Sequence, residues 1–259
     1  MIFRNALYRL YVRRLRAQLV TRSLPRHVAM VMDGNRRWAR KQGFENPSVG
    51  HRYGGEHVDE VLGWCADLGI EHVTIFVAST DNLRKRPSDE VRYLMEEVVE
   101  RIVAARLAER PGRWRLHLAG RLDALPDSTR HALKLARDAT ADRGARFHLT
   151  IAVGYDGRAE VVDAIRSLLD QAARAGTTPT ELAQRLTAED IAAHLYTQGQ
   201  PDPDLIIRTS GEQRMSGFLL WQAAYSELYF CDAYWPGFRY VDFLRALRSY
   251  AARQRRFGA

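Results

Sequence analysis

The sequence predicts a single α/β domain built on a mostly parallel central sheet of about six strands flanked by helices. Three observations carry this. Short β-branched apolar runs recur along the chain and alternate with longer stretches of helical periodicity. The runs are near-continuously apolar, as strands covered on both faces must be. The chain has 259 residues with 46% hydrophobic content, enough for one sizeable core, and no repeat or low-complexity segment divides it.

The elements follow in order. Residues 3–20 place Leu7, Tyr8, Tyr11, Leu15 and Leu19 on one helical face, with Arg9, Arg13, Arg14 and Arg16 around the rest. This basic amphipathic helix is assigned to residues 1–23. Packing onto the domain is the commoner use of such a face; peripheral contact with an anionic lipid surface is the alternative. Strands are expected over 27–32, 73–79, 114–119, 147–153 and 205–209, and helices over 52–68, 88–109, 127–143, 158–175 and 241–253. The stretch 176–179 reads as a surface turn, because apolar periodicity resumes at once. Ligands of such a sheet bind beyond the carboxyl ends of its strands.

The formal charge is +8, and Lys41, Lys85 and Lys134 are the only lysines among 39 basic residues. Arginine grips phosphate oxygens with a planar fork of donors, so the balance suits a phosphorylated ligand, although codon bias toward arginine raises the same count. Cys65 and Cys231 lie far apart in apolar surroundings, which suits buried thiols and a reducing, cytoplasmic setting. No apolar run reaches the roughly 18 residues a membrane span needs, and no signal-peptide pattern is present. A location in the cytoplasm, with peripheral contact at the inner face of the plasma membrane as the further option, is the expectation.

Three constellations carry chemistry. In HVAMVMDGNRRWAR (27–40) a buried strand ends in Asp33-Gly34-Asn35 and a helix begins. Unpaired helix-start N–H groups, a glycine permitting close approach, and Arg36, Arg37 and Arg40 form an anion site. A carboxylate among such groups makes sense if Asp33 holds magnesium, which takes one or two carboxylates and completes its shell with water and substrate phosphates; the competing reading is a helix cap. In DLIIRTSGEQRMSGFLLWQAAYSE (204–227) a second strand end offers Arg208, Arg214 and Ser216 as a second phosphate pocket. Ser79-Thr80-Asp81-Asn82 follows a third strand, where it can orient a substrate or simply cap a helix.

Together with Gly50-His51, Arg86-Pro87, Glu90, FLLWQ, YSELYF and Trp235-Pro236, these stretches resemble the cis-prenyltransferase family, which includes undecaprenyl diphosphate synthases and bacterial short-chain Z-prenyl synthases. The likeness runs in order from about Leu24 to the end, so residues 24–259 are expected to be the catalytic domain. It implies condensation of isopentenyl diphosphate with an allylic prenyl diphosphate, geranyl or farnesyl in type, and Mg²⁺ as cofactor. It implies that Asp33 is catalytic and binds the metal, that Glu227 assists the metal, and that Ser79 and Asn82 lie near the reacting carbons. Gly34, Asn35, Arg37 and His51 are then expected around the allylic diphosphate, Arg208, Arg214 and Ser216 around isopentenyl diphosphate, and Trp38 and Arg86 among the residues that bind substrate. Arg256, in a terminal RxG pattern, would reach a neighbouring subunit's site in a homodimer. An apolar tunnel walled by Val77, Leu94 and Val98 would take the growing chain. Val77 stands where long-chain members carry a smaller alanine, which points to a short or medium product such as Z,E-farnesyl diphosphate. The chain departs from the family's usual pattern at Glu45-Asn46-Pro47 and at Leu83, which bears on the choice of allylic substrate.

Two diphosphates side by side explain why two cationic sites are needed. Like unit charges about 6 Å apart at an effective dielectric of about 20 repel by about 3 kcal/mol, and several such pairs are present. A non-catalytic prenyl-diphosphate-binding subunit is the alternative, but such relatives lose the DGN carboxylate. A nucleic-acid partner is not expected, since no aromatic-and-basic stripe is present, and the absence of DDxxD excludes the all-trans synthase class.

Overall fold

Six strands, β1 (His27–Val31), β2 (His72–Ser79), β3 (Trp114–Ala119), β4 (Phe147–Tyr155), β5 (Leu205–Arg208) and β6 (Glu227–Phe230), pair in the order β3-β4-β2-β1-β5-β6. Every pairing is parallel. This computed structural model describes residues 2–104, 114–144 and 146–253. The five expected strands are present, and β6 is a sixth, falling within the aromatic run that the sequence left unassigned. All four of its residues are half-buried, as suits an edge strand.

Alternation along the strands sorts the core into two layers. Val28 and Met30 of β1, Val73 and Ile75 of β2, and Leu205 and Ile207 of β5 face the larger one. Helices close it: Leu15 and Leu19 of α1 (Ile2–Leu19), Val58 and Leu62 of α3 (Val49–Asp67), and Phe243 and Leu247 of the C-terminal helix Tyr240–Ala252. Ala29, Val31 and Ile206 face the smaller layer, with Tyr155, Phe218 and Leu219. Between α1 and α3 lies α2 (Asn35–Lys41).

After β2 the chain forms α4 (Thr80–Lys85) and α5 (Ser88–Tyr93), and α5 continues as a π-wound segment, Leu94–Ala104. The expected 88–109 helix is thus real to Ala104 but changes winding; its last residues lie outside the described ones. Beyond these come α6 (Asp127–Ala139) and α7 (Gly157–Arg174). Two short helices, α8 (Pro179–Arg185) and α9 (Ala188–Ala192), fill a stretch the sequence reading passed over. Each opens on a threonine whose hydroxyl accepts from the third backbone N–H while an acid reaches back. The C-terminal helix is α10.

The N-terminal helix departs from its expected face. Leu15 and Leu19 are buried with α10, but Leu7 is 60% exposed and Tyr8 and Leu10 also face solvent. Among the described residues no helix is long and apolar enough to cross a membrane.

At the amino end of the sheet, the smaller layer gives way to a polar row. His27, His72 and His148 occupy matching register positions on β1, β2 and β4. The His72 and His148 rings stack 4.6 Å apart, and His148 Nδ1 lies 3.0 Å from His117 Nε2. His27 Nδ1 sits 2.7 Å from the Pro201 carbonyl and so must donate, leaving Nε2 to accept from the Thr74 hydroxyl at 2.9 Å. Burial holds His27 and His117 down to about 4, so both are neutral at pH 7.

Candidate active site

At the opposite, carboxyl end, register brings the two arginine-rich motifs together. Val31 of β1 pairs with Arg208 of β5, so Asp33, two residues past Val31, meets the Arg208 side chain. Arg208 Nη2 donates to Asp33 Oδ2 at 2.8 Å, Arg37 Nη2 to Oδ1 at 3.3 Å, and the Gly34 N–H to Oδ1 at 2.6 Å. Thr209 fixes the Asp33 backbone: its hydroxyl donates to the Asp33 carbonyl at 2.7 Å and accepts the Asp33 N–H at 3.0 Å. Burial pushes the Asp33 carboxyl up, but the hydrogen bond and charge of Arg208, with Arg37, outweigh it and leave the group below its ordinary value.

Arg208 is only 4% exposed. Its Nη1 donates to Ser216 Oγ at 2.9 Å and to the Arg214 carbonyl. What the sequence read as two phosphate pockets is therefore one continuous assembly, Arg37–Asp33–Arg208–Ser216. Arg37 also donates to Ser210 Oγ at 2.8 Å and to Glu212 Oε1 at 3.0 Å, and Glu212 in turn holds Arg214.

A second cluster forms across the cleft around Glu90. Arg36 Nη1 donates to Glu90 Oε2 at 2.9 Å, and His51 Nε2 lies 3.3 Å from Oε1. Arg86 Nη1 is 3.5 Å from Oε1, beyond a good hydrogen bond. The His51 hydrogen bond, with the charges of Arg86 and Arg36, outweighs burial and holds Glu90 down to about 2. Burial keeps His51 below its usual value despite Glu90, so a neutral ring donates through Nε2. Among the described residues, the buried Asn35 Oδ1, Arg86 Nη1 and Arg208 Nε have no hydrogen-bond partner.

Between these clusters lies a cleft of about 620 Å³. Six cations border it, Arg36, Arg37, Arg40, Lys85, Arg86 and Arg214, against the carboxylates of Asp33 and Glu212. Gly34, Asn35, His51, Val77 and Asn82 also face it. Gly34 has φ +98°, and a Cβ there would sit 2.7 Å from the Tyr234 ring, so glycine is required both by conformation and by space. A Cβ on Gly50 would lie 2.1 Å from the Asn35 carbonyl, which is how α3 lets α2 approach. Val77 sits at a bulge: Phe76 and Ala78 pair with consecutive residues Ala152 and Val153, leaving Val77 without a partner.

Several expected residues lie elsewhere. Trp38 does not line the cleft; its ring packs with Phe44 and Tyr53, centroids 5.9 and 5.0 Å away. Ser79 and Asn82 form a reciprocal cap on α4, and of the two only Asn82 faces the cleft. Leu94 and Val98 are buried in the larger core layer and are not among the residues that border the cleft. Glu227 begins β6 in register with Leu205, whereas Asp33 lies beyond the far end of β1. Glu227 is thus level with Val28, three residues before the carboxyl end of β1. Glu227 pairs with Arg253 and is not among the residues that border the cleft. Arg256 lies outside the described residues. Glu212, Thr209, Ser210 and Tyr234 went unnoticed as site residues, although Thr209 and Ser210 follow a buried strand just as Asp33 does.

The geometry can accept two anionic groups, one near Arg36 and Arg86, the other near Arg214. As for a metal, no group of three His, Cys, Asp or Glu side chains able to hold one occurs among the described residues. Asp33 alone faces the cleft at the strand end. That donor set fits a magnesium ion brought with phosphates, which needs a single protein carboxylate, and not a dedicated protein cage.

The undecaprenyl diphosphate synthase family model matches residues 31–258. An isoprenyl transferase of Streptomyces fradiae is 61% identical over 253 residues, 97% of each chain. The (2Z,6E)-farnesyl diphosphate synthase of Thermobifida fusca is 54% identical over 257 residues, covering 99% of each, and that of Mycolicibacterium smegmatis is 51% identical over 256 residues, covering 97% of this chain and 95% of the relative. Lavandulyl diphosphate synthase from Lavandula x intermedia, solved with dimethylallyl diphosphate, superposes with a TM-score of 0.83 at 32% identity, covering 91% of this chain and 99% of that one.

Proposed function

Because the chain belongs to the undecaprenyl diphosphate synthase family, we propose that it condenses isopentenyl diphosphate with a short allylic diphosphate of geranyl type, releasing (2Z,6E)-farnesyl diphosphate. The observation that carries this is the cleft itself: six cations border it beside the strand-end carboxylate of Asp33, which answers the mutual repulsion of two diphosphates. The names of the relatives at about half identity support the product.

In this reading the allylic diphosphate lies over α2 against Arg36, Arg40 and Arg86, with the Asn35 and His51 side chains beside it. Isopentenyl diphosphate lies against Arg214, on the loop that Arg208 and Ser216 hold. Asp33 would hold magnesium, which supplies a Lewis acid to draw charge from the departing diphosphate. The fixed arginine donors stabilise the same developing charge without reorganising. Isopentenyl C4 then bonds to allylic C1 as the C1–O bond breaks and inorganic diphosphate departs with its electron pair, and the isopentenyl C2 proton passes to the departing diphosphate or to water, leaving the new C2=C3 double bond. Asn82 at the cleft wall suits contact with the reacting carbons. Opening of the layer behind Val77, toward Leu94 and Val98, would admit the hydrocarbon chain. Assembly as a homodimer remains part of the proposal, with the β6 edge as the place where a second copy could add.

The test is product analysis with labelled isopentenyl diphosphate and dimethylallyl, geranyl or farnesyl primers, with and without Mg²⁺, beside Asp33→Ala. A magnesium-dependent cis product of farnesyl length, lost in the variant, is expected. No product from any primer, with folded protein that still binds diphosphate, would refute catalysis.

A further inference from the structure

The loop that carries Arg214 and Ser216 has an awkward backbone. Ser216, Gly217 and Leu219 all adopt positive φ, at 52°, 74° and 47°. Non-glycine residues in this region cost of order 1 kcal/mol each and persist only where the surroundings over-determine them. Two residues beyond Arg208 the same is true of Ser210, at 83°. Something must hold the loop.

The contacts converge on Glu160, on the first turn of α7. It is fully buried, yet no cation hydrogen-bonds to it among the described residues. Its carboxyl takes the Tyr155 hydroxyl on Oε2, the Tyr196 N–H on Oε1 at 3.0 Å, and the Gln222 side-chain amide at 3.1 and 3.2 Å. Gln222 lies at the far end of the strained loop, and the same amide also donates to Thr197 Oγ1 at 2.8 Å. Tyr155 packs edge-on against Phe218, centroids 6.1 Å apart, and its hydroxyl abuts the Leu219 backbone. Three residues earlier, the Gly157 N–H donates to the Gly217 carbonyl at 3.2 Å, and a Cβ there would sit 2.3 Å from that oxygen. A buried carboxyl is costly unless its acceptor sites are filled, and here two of the three groups that fill them, Gln222 and Tyr155, also touch the loop.

We propose that Glu160 is the positioning residue of the second diphosphate site: through Gln222 and Tyr155 it fixes loop 210–222, so that Arg214 and Ser216 meet isopentenyl diphosphate preorganised. This rests on the function proposed above. Glu160 touches neither substrate; it acts through the loop, and the Arg36–Glu90–Arg86 cluster on the allylic side shares none of its contacts.

Two variants test it in the full-length chain. Glu160→Gln sets an amide N–H₂ against donors already present, and Gln222→Met removes the bridge while leaving Glu160 with Tyr155 and Tyr196. The KM values for isopentenyl diphosphate and geranyl diphosphate are measured separately, and hydrogen exchange is followed by mass spectrometry. Expected are a rise of about tenfold in the isopentenyl KM, as the loss of one charge-assisted hydrogen bond would give, a geranyl KM within about twofold of the parent, and faster exchange confined to 210–222. Gln222→Met keeps the test open should Glu160→Gln fail to fold. Equal rises in both KM values, or unchanged exchange in 210–222, would overturn the proposal. If the parent protein consumed no isopentenyl diphosphate, the proposed function would fall, while the exchange arm would still decide whether Glu160 holds the loop.

Discussion

Acid should loosen this fold in a window set by the buried histidine row, opening near pH 6.5, above the ordinary carboxylate range. His27 is held neutral by burial, which outweighs the Pro201 carbonyl that favours the charged ring, and sits at about 4 in the folded chain against 6.5 when free. A group whose folded value is depressed in this way takes up its proton first in the unfolded chain. Its contribution is complete above pH 6.5, declines as the pH falls, and is gone below about 4. The slope is about 1.4 kcal/mol per pH unit for one group, so His27 alone removes about 3 kcal/mol across the window. His117, also near 4 but only half-buried, adds a smaller share. Against a typical total of 5 to 15 kcal/mol this is a large fraction. The assay is urea unfolding at several pH values between 7.5 and 4, followed by circular dichroism, with His27→Gln as the comparison because glutamine can still donate to Pro201 and accept from Thr74. The slope should be shallower in the variant by about one group's worth. A parent protein whose unfolding free energy is flat between pH 6.5 and 4.5 would refute the reasoning.

Other consequences can be checked with the same preparation. Arg208→Met strands Asp33 with Arg37 and the Gly34 N–H, and should cost about 3 kcal/mol of stability by urea titration while abolishing measurable turnover. Gly50→Ala pushes a methyl against the Asn35 carbonyl, so it should lower the melting temperature and weaken allylic binding together, whereas Gly43→Ala, with open space around it but a φ of +83°, should affect stability alone. Val77→Ala should lengthen the product, read by chromatography of the dephosphorylated alcohols, with the melting temperature changed little.

The strand runs and their parallel pairing were readable because most strands declare themselves by near-continuous apolar runs, and β3 by the alternation of Trp114, Leu116 and Leu118 with Arg115 and His117. β6 was not, since Glu227-Leu228-Tyr229-Phe230 sits at an edge, half-exposed throughout, and shows neither continuous burial nor alternation. Asp33, Arg37 and Arg214 were legible as cleft residues from their place just after strands or within arginine-rich motifs, and His51 and Arg86 only through the family resemblance. Trp38 and Glu227 lie away from the cleft lining for a common reason: closeness along the chain to a motif says nothing about which way a helix face or strand end points. Glu160 carried no mark at all, because an acidic residue four positions into a polar helix looks solvated until three other segments are seen to close over it.

The bulge at Val77 separates two demands that a strand residue normally has to meet together. Its neighbours Phe76 and Ala78 keep the ladder to β4, while Val77 itself pairs with nothing on that strand. Side-chain size at this one place can therefore change over generations with little penalty in folding, so related enzymes could diverge in the length of the lipid they make by single substitutions, without waiting for compensating changes in the sheet.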